Sequence, residues 1–100
     1  MISLNEIRED LRDVRFYYMR KKVFDANAKS VGVNAIQKKV DKYNSVVQTA
    51  PPRLYDLYIG LYVEGNTQQG YSIELGYTEK HIQKQNKELL LFLQKNLKEE

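Results

Sequence analysis

The chain has 100 residues, of which 42% are apolar and 29% charged, and its formal net charge at pH 7 is +3. This length supports a single small globular unit with one hydrophobic core. With no cysteine and one histidine, the sequence excludes disulfides, thiolate zinc sites and multi-histidine metal centres. No apolar run approaches the roughly 20 residues of a bilayer span, and the first residues lack the apolar stretch of a signal peptide. We therefore expect a cytoplasmic protein that does not bind membranes.

The first predicted helix begins beside Ser3. Ser3 and Glu6 have the spacing of a capping box, in which each side chain bonds the backbone amide of the other residue. Apolar residues then recur every three or four positions, which predicts a helix of about six turns. These residues are Leu4, Ile7, Leu11, Val14 and Tyr18. The acidic side chains Glu6, Glu9, Asp10 and Asp13 fall on the other side, where we expect a solvated face.

The second half of this helix is apolar almost all round. It carries Phe16, Tyr17, Tyr18, Met19, Val23 and Phe24. A two-helix hairpin cannot cover such a surface, so we expect it to pack against the equally apolar run at 89–93 or against a second copy of the chain. Packing within the chain is the favoured arrangement, and both can apply. The candidate interface residues of a homodimer are Phe16, Tyr17, Met19 and Phe24.

A second helix is predicted after a break at Ser30, Val31 and Gly32. Asn34 and Gln37 repeat the spacing of the capping box. Apolar residues at three- and four-residue steps then form one stripe. The stripe consists of Ile36, Val40, Tyr43 and Val47. Residues 1–50 are thus predicted to form a helical hairpin used for packing or oligomerisation.

The second half of the chain, residues 51–100, is predicted to hold three helices. Pro52 suits the first position of a helix, and the next turns carry the apolar stripe Leu54, Leu57, Tyr58 and Leu61 before a break at 64–66. Two helices around a tight turn follow, because Thr67 and Thr78 are capping residues and Gly76 accepts the left-handed conformation that ends a helix. The last helix is long, with Leu89, Leu93 and Leu97 on the face of Ile82.

The spacing of Ser72, Gly76 and Ile82 is typical of a helix-turn-helix, in which a small residue, a turn glycine and an inward aliphatic residue shape the corner. The surrounding run is L-Y-D-L-Y-I-G-L-Y-V-E-G-N-T-Q-Q-G-Y-S-I-E-L-G-Y-T-E-K-H-I-Q-K-Q-N-K-E-L-L. It resembles region four of bacterial sigma factors, which contacts the −35 element of promoters. The chain as a whole is also similar to small phage-encoded regulators of late transcription.

The resemblance implies a set of DNA-binding residues at the start of the last helix. Glu79, Lys80, His81, Gln83 and Lys84 would face the major groove, and Thr78 and Lys87 would lie near phosphates. The sequence departs from the sigma pattern at Glu79, His81 and Gln83, where arginine is usual. Bacterial RNA polymerase is a further partner that the resemblance implies.

Charge limits how strongly such a module can bind. Residues 1–50 hold ten basic and six acidic residues, whereas residues 51–100 hold six and seven. Three lysines on the recognition helix give a salt slope near −3, at about −0.9 per phosphate contact, so binding by one module should be weak. Basic residues of the first two helices, a homodimer or polymerase could supplement it. The basic residues are Arg12, Arg15, Arg20, Lys21, Lys22, Lys38, Lys39 and Lys42.

These observations predict an all-α, double-stranded-DNA-binding transcription regulator of phage or mobile-element type. The alternatives are a protein-interaction module that binds RNA polymerase or another regulator, and a DNA-packaging adaptor. No nucleophile motif accompanies His81, and no glycine spacing fits a phosphate loop. We therefore expect neither an enzyme nor a cofactor, and we expect the protein to act in a bacterial cell or a phage-infected host.

Overall fold

A computed structural model describes residues 2–21 and 31–97, with the backbone alone for residues 31–34. In these two stretches the regular elements are helices, and no strand is found. The protein is therefore all-α, as predicted. The elements are α1 (Leu4–Met19), α2 (Val31–Val47), α3 (Pro52–Tyr58) with a π-helical continuation (Ile59–Val63), α4 (Gln68–Leu75) and α5 (Glu79–Asn96).

One hydrophobic core joins the two halves of the sequence. Its buried side chains come from α1, α2, α3, the π-helical segment and α5. They are Ile7, Leu11, Val14, Tyr17, Val40, Tyr43, Val47, Leu54, Leu57, Tyr58, Leu61, Ile82, Leu89, Leu90, Leu93 and Leu97. Residues 1–50 and 51–100 thus share a core, and each half depends on the other for burial of its apolar face.

Helix α1 begins where the capping pattern predicts and ends earlier than expected. The hydroxyl of Ser3 accepts a hydrogen bond of 3.1 Å from the backbone N–H of Glu6. The helix has 16 residues and closes at Arg20, whose N–H bonds the carbonyls of Phe16 and Tyr17. Sixteen residues make about four and a half turns, so the predicted length of six turns is wrong for this helix.

The prediction that all four acidic residues of α1 lie on a solvated face is wrong for two of them. Glu6 and Glu9 are exposed, as expected for a solvated face. Asp10 instead accepts a 2.6 Å hydrogen bond from the hydroxyl of Tyr43. The ammonium group of Lys39 lies 3.2 Å from Asp10 and 2.7 Å from the Asp13 carboxylate. Helix α2 crosses this side of α1, and it brings a buried phenol that requires an acceptor.

Both partners of these carboxylates have shifted pKa values. Burial, together with the hydrogen bond to Asp10, raises the pKa of Tyr43 far above its ordinary value. The hydrogen bond to Asp13 raises the pKa of Lys39, although burial opposes this. Lys39 is therefore committed to contacts inside the protein. It cannot supplement DNA binding in the way predicted for the α2 lysines.

Helix α2 starts at Val31, so the predicted break over Val31 and Gly32 and the predicted start at Asn34 are wrong. A glycine inside a helix costs only about 1 kcal/mol relative to alanine. Burial of Val40, Tyr43 and Val47 in the core offsets this cost, because each large apolar side chain contributes roughly 1.5–3 kcal/mol.

A polar chain of hydrogen bonds ties α1, α2 and α3 together beside the core. The amide nitrogen of Asn44 donates to the hydroxyl of Tyr18 at 2.8 Å, and its amide oxygen accepts from the hydroxyl of Tyr58 at 2.7 Å. Tyr43 and Asn44 are neighbours in α2, yet they contact Asp10 and Tyr18, which lie eight residues apart in α1. The contacts of Lys39 with Asp13 and of Tyr43 with Asp10 follow antiparallel order, and the contact of Asn44 with Tyr18 departs from it.

Helix α3 begins at Pro52, as predicted, and its apolar stripe is buried. The π-helical turn that follows was not predicted. It closes with a hydrogen bond of 2.8 Å from the N–H of Glu64 to the carbonyl of Ile59, and Gly65 then adopts a φ of 80°. Within this turn a Cβ atom at Gly60 would collide with the ring of Tyr71. Glycine at this position of the π-helical segment thus leaves room for the ring of Tyr71 from α4.

Candidate nucleic-acid interface

The corner between α4 and α5 is built by local hydrogen bonds at each helix end. The Thr67 hydroxyl accepts from the N–H of Gly70 at 2.9 Å, and the Thr78 hydroxyl accepts from the N–H of His81 at 3.1 Å. Gly76 has a φ of 75°, and the N–H of Tyr77 bonds the carbonyl of Ser72 at 2.9 Å. Both predicted caps and the predicted left-handed turn are confirmed.

Two buried residues hold α4 against α5. Ser72 is 3% exposed and Ile82 is fully buried. The Ser72 hydroxyl donates to the carbonyl of Gln69 at 2.6 Å, so this small polar side chain is satisfied within its own helix. Ile82 faces the core and Ser72 is buried, as predicted, and the close approach of the two helices at Ser72 stays a prediction.

Helix α5 is fixed on both flanks as well as on its buried face. On the side that faces the core, the hydroxyl of Tyr62 donates to the amide oxygen of Asn86 at 2.6 Å. On one flank Arg53 of α3 forms an ion pair with Glu88. Near the end of α5, the side-chain amide of Gln94 donates to the carbonyl of Ile2 at 3.0 Å. The apolar side faces the core, so the rest of the helix surface is left toward solvent.

The seven residues predicted to bind DNA are all exposed. They are Thr78, Glu79, Lys80, His81, Gln83, Lys84 and Lys87. At about 100° per residue, Lys80, Lys84 and Lys87 lie opposite the buried face of α5, with Gln83 on one side of them and His81 on the other. One exposed surface therefore holds the three lysines and two side chains that can form hydrogen bonds with bases.

The electrostatic character of this surface is positive. Lys80, Lys84 and Lys87 form no ion pair or hydrogen bond in the described part of the chain. The nearest carboxylate along the same side of the helix is Glu88, which is paired with Arg53. The hydroxyl of Thr78 is used as a cap acceptor, but its O–H remains a donor that could bond a phosphate oxygen.

Residues 73–81 also include features that the sequence analysis missed. Tyr77 is 52% exposed, and its ring lies 4.6 Å from that of His81, so His81 is held against an aromatic neighbour. Ile73 of α4 is also an exposed apolar residue, with 74% of its surface accessible. The position of Tyr77 directly before the Thr78 cap was the available signal, since the residue before a cap commonly packs on the first helical turns.

The predicted dimer interface on α1 requires a correction. Tyr17 is 7% exposed and belongs to the core, because it follows Val14 by three residues on the buried side of the helix. Phe16 and Met19 are 46% and 69% exposed, respectively, and the guanidinium of Arg20 lies 5.0 Å from the centre of the Phe16 ring. Phe24 lies outside the described residues.

A cavity of about 640 Å³ lies between α1, α2 and the end of α5, lined in part by Lys38, Lys42 and Leu97. Within residues 2–21 and 31–97, no group of three acidic or histidine side chains could hold a metal ion. None of the helices described combines the length and apolarity needed to cross a membrane.

Comparisons of the chain with protein-family models, with curated proteins and with solved structures give no match.

Proposed function

We propose that the protein is a sequence-specific DNA-binding regulator of transcription, of phage or mobile-element type, whose α5 contacts the major groove from Thr78 onward. The observation that carries this proposal is the corner between α4 and α5. One exposed surface of this corner carries three lysines that form no ion pair in the described residues, and Gln83 and His81 lie on either side of them. Lysines neutralise phosphates and fix the protein on the duplex, whereas side chains that bond base edges select the sequence.

In the proposed complex, the side chains of α5 divide these two roles. Lys84 and Lys87 contact phosphates, and each contact releases counterions from the DNA. The affinity therefore falls as the salt concentration rises. Gln83 can form two hydrogen bonds with an adenine edge, which is worth roughly 1–3 kcal/mol against the wrong base. RNA polymerase, as a further partner, would stabilise a complex in which one such module alone binds weakly.

The test begins with selection of bound duplexes from random DNA at low salt, with and without RNA polymerase. The selected duplex and a scrambled duplex are then titrated with Lys84→Ala, Gln83→Ala and the control Arg8→Ala. Arg8 is exposed on α1 and is not among the basic residues expected to supplement DNA binding, so its replacement removes one positive charge outside α5. Lys84→Ala should weaken binding to both duplexes, and Gln83→Ala should weaken binding mainly to the selected one. Variants that all bind as tightly as the wild type would refute the proposal.

A second candidate function is a protein-interaction module. The exposed apolar surface of Phe16 and Met19 on α1 favours it, and the partner would be a second copy, RNA polymerase or another regulator. Light scattering of the wild type and of Met19→Glu separates the homodimer from the other partners. Because Met19 is mostly exposed, the variant should keep its helicity, and loss of a dimer would assign this surface to self-association.

A further inference from the structure

The outward face of α5 carries more positive charge than the predicted DNA-binding residues account for. Lys80, Lys84, Lys87 and Lys95 fall within an arc of about 80° at 100° per residue, directly opposite Ile82 and the leucines of the core. Leu91 lies in the middle of the same arc and is 47% exposed. The basic stripe, defined as Lys80, Lys84, Lys87 and Lys95, thus runs from the first turn of the helix to its last.

No carboxylate interrupts the basic stripe. The acidic residues of α5 are Glu79, at its first position, and Glu88, at the edge of the arc and in an ion pair with Arg53. None of the four lysines has a partner in the described residues. Exposed helices commonly pair opposite charges three or four residues apart, and like charges at these spacings are destabilising. The free protein therefore carries a repulsion between Lys80, Lys84 and Lys87 that a polyanion would remove.

The dimensions of the stripe match a length of duplex DNA. Lys80 and Lys95 are fifteen positions apart, which corresponds to about 22 Å at 1.5 Å per residue. Phosphates of one strand advance by about 3.4 Å along the DNA axis, so this distance spans at most six to seven base pairs and fewer where the helix follows the inclined groove. A helix with side chains is about 10–12 Å across, and the major groove is about 12 Å wide. The helix can therefore lie lengthwise in the groove.

We infer that duplex DNA binds along the whole exposed face of α5, so that Lys80 and Lys95 contact phosphates about 22 Å apart at opposite ends of the helix. The inference rests on the proposed DNA-binding function and specifies how the helix lies. If only the first turns of α5 entered the groove, Lys95 would remain in solvent. Lys95 would then have no effect on affinity.

The experiment measures dissociation constants by fluorescence anisotropy between 50 and 200 mM salt, on a duplex about 25 base pairs long. Four phosphate contacts predict that the wild-type affinity falls about 150-fold over this range, and three predict about 40-fold, at a slope of about −0.9 per contact. Lys95→Ala and Lys84→Ala should each remove one phosphate contact and so reduce this fall in affinity to about 40-fold. Arg8→Ala, a loss of one positive charge on α1 and outside the stripe, should leave the wild-type fall in affinity of about 150-fold unchanged.

Each other outcome overturns the inference in a recognisable way. If Lys95→Ala matches Arg8→Ala while Lys84→Ala reduces the fall in affinity to about 40-fold, α5 contacts DNA only through its first turns, and the proposed function stands. If Lys84→Ala also matches the control, the proposed function fails as well. Equal competition by double-stranded RNA would contradict lengthwise binding, because the major groove of A-form RNA is too narrow to admit side chains. Circular dichroism confirms that the exposed substitutions leave the helices intact.

Discussion

The hydrogen bond between Tyr43 and Asp10 offers a quantitative test of the packing of α1 against α2. Tyr43 is fully buried, and its hydroxyl donates to Asp10 at 2.6 Å. Asp10→Ala would leave this buried donor without its acceptor, at a cost of roughly 1–3 kcal/mol. Asp13→Ala is the matched control, because the Asp13 side chain is 49% exposed and contacts only Lys39. Loss of such an exposed ion pair should cost about 0–1 kcal/mol.

Urea denaturation and thermal melts followed by circular dichroism measure these costs. For a domain of this size, 1 kcal/mol shifts the melting temperature by about 4–8 °C, so Asp10→Ala should melt well below Asp13→Ala. Tyr43→Phe removes the donor, so the double variant with Asp10→Ala should lose less stability than the two single losses added together. Equal melting temperatures for the two aspartate variants would show that Asp10 and Asp13 lie on a solvated face of α1. Additive losses of stability in the double-mutant cycle of Asp10 and Tyr43 would show the same.

Two further predictions concern the turn and the buried tyrosines. Gly76 has a φ of 75°, and a Cβ atom added there would meet no neighbouring atom. Gly76→Ala should therefore cost only the backbone strain of about 1–2 kcal/mol, and Gly76→Asn should cost less. Equal stability of the wild type and both variants would contradict the left-handed turn. Burial raises the pKa of Tyr43, Tyr58 and Tyr62 in the folded protein. Their contribution to the stability of the fold is therefore complete at a pH below about 10, the pKa of tyrosine in the unfolded chain. It is lost as the pH rises above that value. Free energies of unfolding, measured with urea from pH 8 upward, should fall above about pH 10 by up to 1.4 kcal/mol per pH unit for each tyrosine. Free energies that do not change with pH would count against their burial.

The features that could be predicted from the sequence are those decided by a few neighbouring residues. Ser3, Thr67 and Thr78 each cap a helix because a hydroxyl reaches an amide three residues ahead. Gly76 ends α4 because it lacks the Cβ that disfavours a positive φ. The exposed face of α5 was predictable for a related reason. The periodicity that places Ile82 in the core also places the lysines opposite it.

The features that could not be predicted depend on how separate helices cross. Tyr17 and Tyr18 are about 100° apart around α1, and only the positions of the other helices decide that Tyr17 enters the core while Tyr18 bonds Asn44. The commitment of Asp10 to Tyr43 likewise joins residues 33 positions apart. Lys95 was missed for another reason. The resemblance to sigma factors draws attention to the first turns of the recognition helix, whereas the charge pattern continues to its end.

The direction in which the basic stripe faces is set by residues that would not touch DNA. Asn86 is bonded to Tyr62 on the side of α5 that faces the core, Gln94 is bonded to the carbonyl of Ile2 on one flank, and Glu88 is paired with Arg53 on the opposite flank. These contacts act with the buried leucines to fix the rotation of α5 about its own axis. A rotation of 20° would move a point on the helix surface by about 2 Å, since the radius with side chains is about 5–6 Å. Hydrogen bonds to phosphate or base edges tolerate only a few tenths of an ångström. The geometry of the proposed DNA contact therefore depends on the packing of α1 and α3 against α5, and so on the shared core of the two halves of the chain.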